Sequence, residues 1–330
     1  MHSKILEKLK QQTPEFLSGE ELCRQLGITR SAVWKHIGNL RKSGYQIESV
    51  TNRGYKLNKI PNAPLPAEIT PLLHTSSIGR TIHYLDQTAS TNKTARQHAE
   101  NGATHGTVIV TDHQTQGRGR LQRNWYSPAG ANLYLSIILR PPLPPMSAPS
   151  FSLLTGLAVR RACCGFAADQ QIAIKWPNDI FINGKKTAGI LADISAEQDC
   201  INHLIIGIGV NVNLESQNLP PALQETATSL KIETGRSINR PALAAAILDR
   251  LEELYDPWLK QGLTPFLDEL HHSSLLLNRE VSVSNPRSTI RGKVTGITPN
   301  GELSLQTETG AIQTIAAGDA SIVNNGTVKL

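Results

Sequence analysis

The chain has 330 residues, 39% hydrophobic and 18% charged, with few aromatics and no low-complexity tract, the composition of an ordinary soluble globular protein of two or three domains. No apolar run approaches the roughly 20 residues that a membrane-spanning helix needs, and the N-terminus has no signal-peptide core, so a cytoplasmic protein is expected. The formal charge is +6, and all of the excess lies in residues 1–60, where 11 Lys/Arg stand against 5 Asp/Glu, while residues 61–330 carry 22 of each. That asymmetry marks the N-terminus as the candidate partner for a polyanion.

In chain order, Ile5, Leu6 and Leu9 give one helical stripe, and Ser18-Gly19-Glu20-Glu21 has the pattern of a capping box opening a second helix that stops at Gly27. Thr29 caps a third helix with Ala32, Val33, Ile37 and Leu40 inward and Arg30, Ser31, Trp34, Lys35 and Arg41 outward or at its rim. Two alternating runs around Thr51-Asn52-Arg53-Gly54 complete a winged helix-turn-helix, whose third helix fits the major groove. Arg30, Ser31, Lys35 and Arg53 are the candidate DNA contacts, and a protein-interaction module of the same fold is the alternative. Three prolines in residues 60–66 read as a linker.

Residues 67–277 alternate strand-like and helical patterns, as a mixed α/β domain does. Ser90-Thr91-Asn92 either caps a helix or gathers hydroxyls and an amide on an uncharged polar ligand. Gln114-Thr115-Gln116-Gly117-Arg118-Gly119-Arg120, continuing to Arg123 and Trp125, offers bare backbone and planar cations for a phosphate clamp, and it is neither a Walker A loop nor a dinucleotide fingerprint. Trp125 supplies a flat face for a base, or a core side chain. Lys175-Trp176-Pro177-Asn178-Asp179 and Gly184-Lys185-Lys186-Thr187-Ala188-Gly189 flank a hairpin with an Asn183-Gly184 turn and bring acidic and basic groups to one edge, suited to nucleotide and Mg²⁺ chemistry. Gly207 and Gly209 leave room against a buried strand that ends at Asn211. Residues 278–330 alternate apolar and polar positions, with Val281/Val283, Val294/Ile297, Leu303/Leu305 and Ile312/Ile315 inward, around an Asn300-Gly301 turn, as in a small β-barrel. Cys23, Cys163, Cys164 and Cys200 lack metal-ligand spacing and read as reduced thiols.

Taken in this order, these motifs resemble those of the biotin protein ligases, specifically the bifunctional type that is also a biotin operon repressor. The resemblance covers nearly the whole chain. It implies an α+β multidomain protein: a winged helix-turn-helix, a central catalytic domain related to class II aminoacyl-tRNA synthetases and lipoate ligases, and an SH3-like C-terminal barrel. It also implies activation of biotin by MgATP to biotinyl-5'-AMP and transfer to a lysine of the biotin carboxyl carrier protein of acetyl-CoA carboxylase. By resemblance, Ser90, Thr91, Asn92 and Gln114 hold the ureido ring, Gly117 and Arg118 close over it, and Gly189 lets the tail pass. Arg120, Arg123 and Lys186 hold carboxylate and phosphates, Trp125 stacks near adenine, and Asn178, Asp179 and Asn211 meet nucleotide or metal. Arg120, Lys186 and Asp179 are the expected catalytic groups, and adenylate-dependent homodimers on a two-fold operator are the expected repressor. The family often has an acidic residue at Ala89, glycine at Gln122 and glutamate at Asp193; Gln122 is expected to stiffen the loop, and the other two departures to be peripheral. A sensor without catalysis and a lipoate ligase remain the competing classes.

Overall fold

The computed structural model describes residues 2–197, 200–285, 288–324 and 327–329. The chain divides into two compact units, residues 1–63 and 64–330.

In the first unit, α1 (His2–Gln12), α2 (Gly19–Leu26) and α3 (Arg30–Lys42) bury Ile5, Leu6, Leu9, Leu22, Val33, Ile37 and Leu40 on a common core. Gly27 takes the left-handed conformation that ends α2 (φ 64), and Thr29 caps α3 by accepting from the Ala32 amide. The expected capping box is only half formed. Ser18 accepts from the Glu20 amide, but Glu21 turns outward to Arg24 and Gln25 rather than back to Ser18. Two exposed charge-assisted partners one turn ahead outcompete one backbone amide. β1 (Gln46–Val50) and β2 (Gly54–Lys59) pair antiparallel as the wing.

The second unit begins with α4 (Pro66–Ile69) and is built on a seven-stranded sheet. Its strands are β3 (Ile82–Thr88), β4 (Thr107–Gln114), β5 (Leu133–Leu139), β6 (Ile172–Lys175), β7 (Asp179–Ile182), β8 (Lys185–Ala196) and β9 (Ile201–Val210), in the order β3-β4-β5-β9-β8-β7-β6. Only β3 and β4 run parallel. The helices are α5 (Thr91–Glu100), α6 (Ala148–Phe166), α7 (Leu230–Thr234), α8 (Arg240–Gln261) and α9 (Leu267–His272).

Side-chain alternation assigns the two faces of the sheet. Val108, Val110, Leu135, Ile137, Ala188, Ile190, Ile206 and Ile208 join the large core beneath α6 and α8, whereas Ile109, Ile138 and Ile205 join Ala95 and Ala99 of α5 in a small second core. The second face therefore leaves most of its area to other residues.

At the C-terminus, β10 (Glu280–Ser284), β11 (Thr289–Ile297), β12 (Leu303–Gln306), β13 (Ile312–Ile315), β14 (Asp319–Asn324) and β15 (Thr327–Lys329) form an antiparallel sheet in the order β13-β12-β11-β10-β14-β15. Its inward residues, Val281, Val283, Val294, Leu303, Leu305 and Ala320, are continuous with the large core of the central domain. Ile312 corrects the alternation: it is 58% exposed while Ile315 is buried, because residues three apart in a regular strand face opposite ways. Val294 and Ile297 are also three apart yet both face inward, since β11 carries a bulge between Val294 and Gly296.

Candidate active site and DNA-binding surface

The face of the sheet that carries α5 is lined by small residues. Two adjacent rows of paired residues cross it: Ser136, Gly207 and Leu191 in one, Tyr134, Gly209, Gly189 and Asp179 in the other. From Ser136 on β5 to Asp179 on β7 is three strand spacings, about 14 Å. A shallow groove thus runs from a polar uncharged end to a charged end.

The uncharged end is assembled around α5. Ser90 sits at its N-cap but makes no capping bond, so its hydroxyl is not committed to the helix. The Thr91 amide and hydroxyl both donate to Gln114 Oε1 (2.9 and 3.2 Å), and Gln114 Nε2 donates to Ser127 Oγ (3.1 Å). Ser136 Oγ, fully buried, lies 2.7 Å from both Thr91 Oγ1 and Asn92 Oδ1. Asn92 Nδ2 donates to Asp193 Oδ2 (2.9 Å) and the Leu191 carbonyl (3.3 Å). Gly207 is required by this packing, since a Cβ there would fall 2.0 Å from Asn92 Oδ1. The Ser-Thr-Asn triplet therefore serves as more than a helix cap. Asp193, expected to be peripheral, is a direct partner of Asn92 and lies 3.7 Å from Arg96. Alternation along β8 turns its carboxylate to the α5 side, which the sequence departure alone did not disclose.

The loop after β4 closes over the groove. The Trp125 amide donates to the Gly117 carbonyl (2.9 Å), the Gly119 amide donates to the Arg123 carbonyl (2.8 Å), and Arg118, exposed, pairs with Asn124. Gly117 has no room for a side chain: a Cβ would lie 2.5 Å from Ser127 Oγ and 2.6 Å from the Trp125 carbonyl. The tip bends through Leu121 (φ 53) and Gln122 (φ 60), both left-handed. Gln122 thus occupies a conformation that glycine favours, at the position where the sequence led us to expect a stiffer loop. The Trp125 indole lies over Gly189 and Gly209, 3.1 and 2.6 Å from the Cβ each would carry, and its Nε1 is buried with no partner among the described residues. The ring expected beside an adenine thus rests in the middle of the groove.

At the charged end, Lys186 Nζ lies 2.7 Å from Asp179 Oδ2, while Asp179 Oδ1 is buried and has no partner among the described residues. A bulge between Ile180 and Phe181 gives β8 the extra residue Thr187 and re-aims Lys186. The Lys186 ammonium also stands 5.4 Å from the centre of the Trp125 ring. Arg120 donates to Asn178 Oδ1 (3.1 Å) and the Gly318 carbonyl (3.1 Å), and Arg123 donates to Asp319 Oδ2 (2.7 Å). Burial pushes the Arg120 guanidinium down from its usual range, and Asp319 and Asp179 pull the other way. Lys175, buried on β6, is likewise pushed down by burial and by Lys186 and Arg123, against Asp179 and Asp319. Four cations share this end with two carboxylates.

Lys175 and Asp319 were not singled out as site residues in the sequence, nor were Ser127 and Ser136. Lys175 carried a signal, since it opens the Lys-Trp-Pro-Asn-Asp stretch; Asp319 carried none, because its relevance comes from a contact 196 residues away. Asn178 and Asn211 are tied into the scaffold. Asn178 Nδ2 donates to the Ile190 carbonyl (2.7 Å), and Asn211 Nδ2 donates to the Thr228 carbonyl (3.0 Å) while its Oδ1 accepts from Asn132 (3.4 Å).

In the first unit, Ser31 and Lys35 are exposed on α3. Arg30 lies 3.8 Å from Glu20, and the guanidinium of Arg53, an exposed residue, stacks 4.3 Å above the Phe16 ring.

A groove with hydrogen-bonding groups at one end and a cation cluster at the other, joined to a winged helix, defines a carboxylate-activating ligase that carries a DNA-binding module. Residues 84–211 match the Biotin/lipoate A/B protein ligase family, residues 2–56 an HTH domain, and residues 276–323 the Biotin protein ligase C terminal domain. The chain is 40% identical to the bifunctional ligase/repressor BirA of Bacillus subtilis over 96% of its length and 97% of that protein's. It is 31% identical to the Escherichia coli protein of the same name, over 93% of each chain. The biotin protein ligase from Aquifex aeolicus in complex with biotin and ATP superposes with a TM-score of 0.64 at 30% identity, covering 74% of this chain and 98% of that one. The chain belongs to the family of bifunctional biotin protein ligases and repressors. Among the described residues no helix is long and apolar enough to cross a membrane.

Proposed function

We propose that the groove binds biotin with its ureido ring at the Ser90, Thr91, Asn92 and Gln114 end and its carboxylate toward Lys186 and Arg120. The ring needs donors and acceptors, which Ser90, Thr91, Asn92 and Gln114 supply without charge of their own, and about 14 Å measured across the strands separates that end from Asp179, a span suited to a bicyclic acid with a short tail. Gly117 and Arg118 close over the ring, and Gly189 and Gly209 leave the floor flat for the tail once Trp125 moves aside toward the nucleotide base. The observation that carries the reading is the cluster of Arg120, Arg123, Lys175 and Lys186 against only Asp179 and Asp319, a net positive site at the end of an otherwise neutral groove.

The biotin carboxylate attacks the α-phosphorus of ATP, a P–O bond forms as the bond to pyrophosphate breaks, and biotinyl-5'-AMP remains. A lysine amine of the carrier protein then attacks the acyl carbon and releases AMP. Neither step needs a protein nucleophile; positioning and charge stabilisation dominate. Lys186 and Arg120 offset charge that builds on the transferring group, Arg123 and Lys175 hold the departing phosphates, and Asn178 and Asn211 keep the nucleotide end of the scaffold in shape.

The buried, unpartnered Asp179 Oδ1 fits a divalent ion held jointly with nucleotide phosphates, since Mg²⁺ commonly takes one or two carboxylates and keeps its waters. Asp179 would hold it, and it would supply further neutralisation of phosphate charge. The carrier is proposed to be the biotin carboxyl carrier protein of acetyl-CoA carboxylase, and the compartment the cytoplasm. The winged helix is proposed to bind operator DNA as an adenylate-promoted homodimer, with one ligand as both intermediate and corepressor.

The test is incubation with biotin, MgATP and a biotinoyl carrier domain, read by intact mass. The expected result is one biotin added per carrier, and a carrier that stays unmodified overturns the ligase reading.

A further inference from the structure

The outward face of α3 holds two residues that the fold of its own unit does not explain. Trp34 is 71% exposed, the largest apolar side chain so displayed in this unit. Gly38, one turn further along the same face, lies in the middle of a helix, where glycine is a poor choice. A Cβ at Gly38 would meet nothing within 4 Å and its φ is not positive, so neither packing nor backbone conformation demands the glycine. An approach from outside the unit remains as the reason for it.

The surroundings select the occupant. Ser31, Lys35 and Lys42 are exposed beside the pair, and α3 contains no acidic residue. Arg30 is engaged with Glu20, Arg53 with Phe16, and Arg41 with the Ile47 carbonyl and Ser49 Oγ, whereas Lys35 makes no ion pair among the described residues. An apolar indole on a helix without acidic residues, beside exposed lysines, complements duplex DNA, whose major groove offers thymine methyl groups between lines of phosphate.

We infer that Trp34 and Gly38 form the uncharged contact of α3 with the major groove, the indole packing on a thymine methyl and the bare helix backbone at Gly38 letting the DNA approach closely. The inference rests on the DNA-binding reading above and adds to it a sequence-reading residue that neutralises no phosphate.

The test uses full-length protein with biotinyl-5'-AMP and duplex DNA from upstream of biotin-synthesis genes of the source organism, titrated across a salt series. Trp34→Ala should weaken binding about tenfold at every salt concentration and leave the slope of log K against log salt unchanged, whereas Lys35→Ala should reduce that slope by about one. Gly38→Ala should also weaken binding while raising the thermal midpoint. Replacing the contacted thymines by deoxyuridine, which removes only the methyl, should weaken the wild type and leave Trp34→Ala unaffected. Biotin titration of each variant checks that the fold is intact. Wild-type affinity in both Trp34→Ala and Gly38→Ala, or a Trp34→Ala loss that appears only as a change of slope, overturns the inference and leaves the DNA-binding reading standing. A wild type that binds no DNA at low salt removes both.

Discussion

Lys186→Ala is the substitution that bears hardest on the proposed chemistry. The ammonium is about one-third exposed and lies 2.7 Å from Asp179 Oδ2, whose other oxygen is already without a partner. Removing it leaves a carboxylate that is 19% exposed facing the groove with both oxygens unpaired. The pair is partly open to solvent, so the stability cost is discounted to about 1 kcal/mol. The catalytic cost is larger. One preorganised charge aimed at a transferring group is worth roughly 10²–10³ in rate, or about 3–4 kcal/mol. Arg120 and Lys175 remain in the same cluster and hold the loss toward the lower figure. Single-turnover formation of biotinyl-5'-AMP, followed by pyrophosphate release at saturating biotin and ATP, isolates that step. The expected result is a rate at least a hundredfold down with biotin affinity weakened far less, because Lys186 meets only the carboxylate and the ureido contacts lie at the other end of the groove. Wild-type single-turnover rates in a folded Lys186→Ala protein would refute the assignment of the charged end.

Arg120→Ala should weaken retention of the adenylate, read as its dissociation rate, because the guanidinium spans Asn178 and Gly318 at the mouth of the cluster. Ser136→Ala removes a buried hydroxyl placed between Thr91 and Asn92, a loss of roughly 1–3 kcal/mol, and should raise the biotin Kd about tenfold by calorimetry; an unchanged Kd would show that the triplet positions itself without it. Gln122→Gly relieves a left-handed residue at the loop tip and should raise the thermal midpoint while loosening the loop, seen as faster biotin association; slower association would refute the strain argument. For Glu252, burial alone would push the carboxyl up, but the amides of Ile78, Ser76 and Ser77 and the Ser77 hydroxyl outweigh it and hold the group down at about 2, against an ordinary 4.5. Its stabilisation is therefore fully present above pH 4.5 and lost as pH falls toward 2, and Glu252→Gln, discounted for exposure to about 1 kcal/mol, should flatten acid unfolding across that window.

The elements that were legible in the sequence are those whose signal is local. Ile5, Leu6 and Leu9 at helical spacing, Thr29 before a helix and Gly27 after one each express a constraint that acts within a few residues, and α1, α2 and α3 formed accordingly. The Asn183-Gly184 turn is of the same kind, with both residues left-handed as a two-residue hairpin loop requires. Local rules misled where two local partners competed, as at Glu21, or where the period was misapplied, as at Ile312. Most of the candidate groove was also visible, because its residues cluster in short motifs, but what those motifs do to one another was not. Asp193 became a partner of Asn92 only once alternation along β8 turned it toward α5, and Trp125 came to rest on Gly189 and Gly209 through a loop whose path no spacing specifies.

The C-terminal sheet shows why a domain-by-domain reading of this sequence misses part of the site. Gly318 and Asp319, just before and at the start of β14, receive Arg120 and Arg123 from a loop nearly two hundred residues earlier, and the Gly301 carbonyl accepts from Trp176 Nε1 at 2.9 Å within the Lys-Trp-Pro-Asn-Asp stretch. Four cations gathered without phosphate repel one another, and Asp319 offsets part of that repulsion with a carboxylate that no segment of the central sheet provides. The same carboxylate would oppose an anionic nucleotide, so on the proposed reading Arg123 exchanges Asp319 for phosphate when the substrate arrives. The loop is held by contacts to another sheet as well as by its own hydrogen bonds, and the proposed binding of ATP requires the arginine contacts to be exchanged and Trp125 to leave the groove. On the proposed chemistry the C-terminal sheet would act through the free state of the loop, with none of its residues needing to meet biotin.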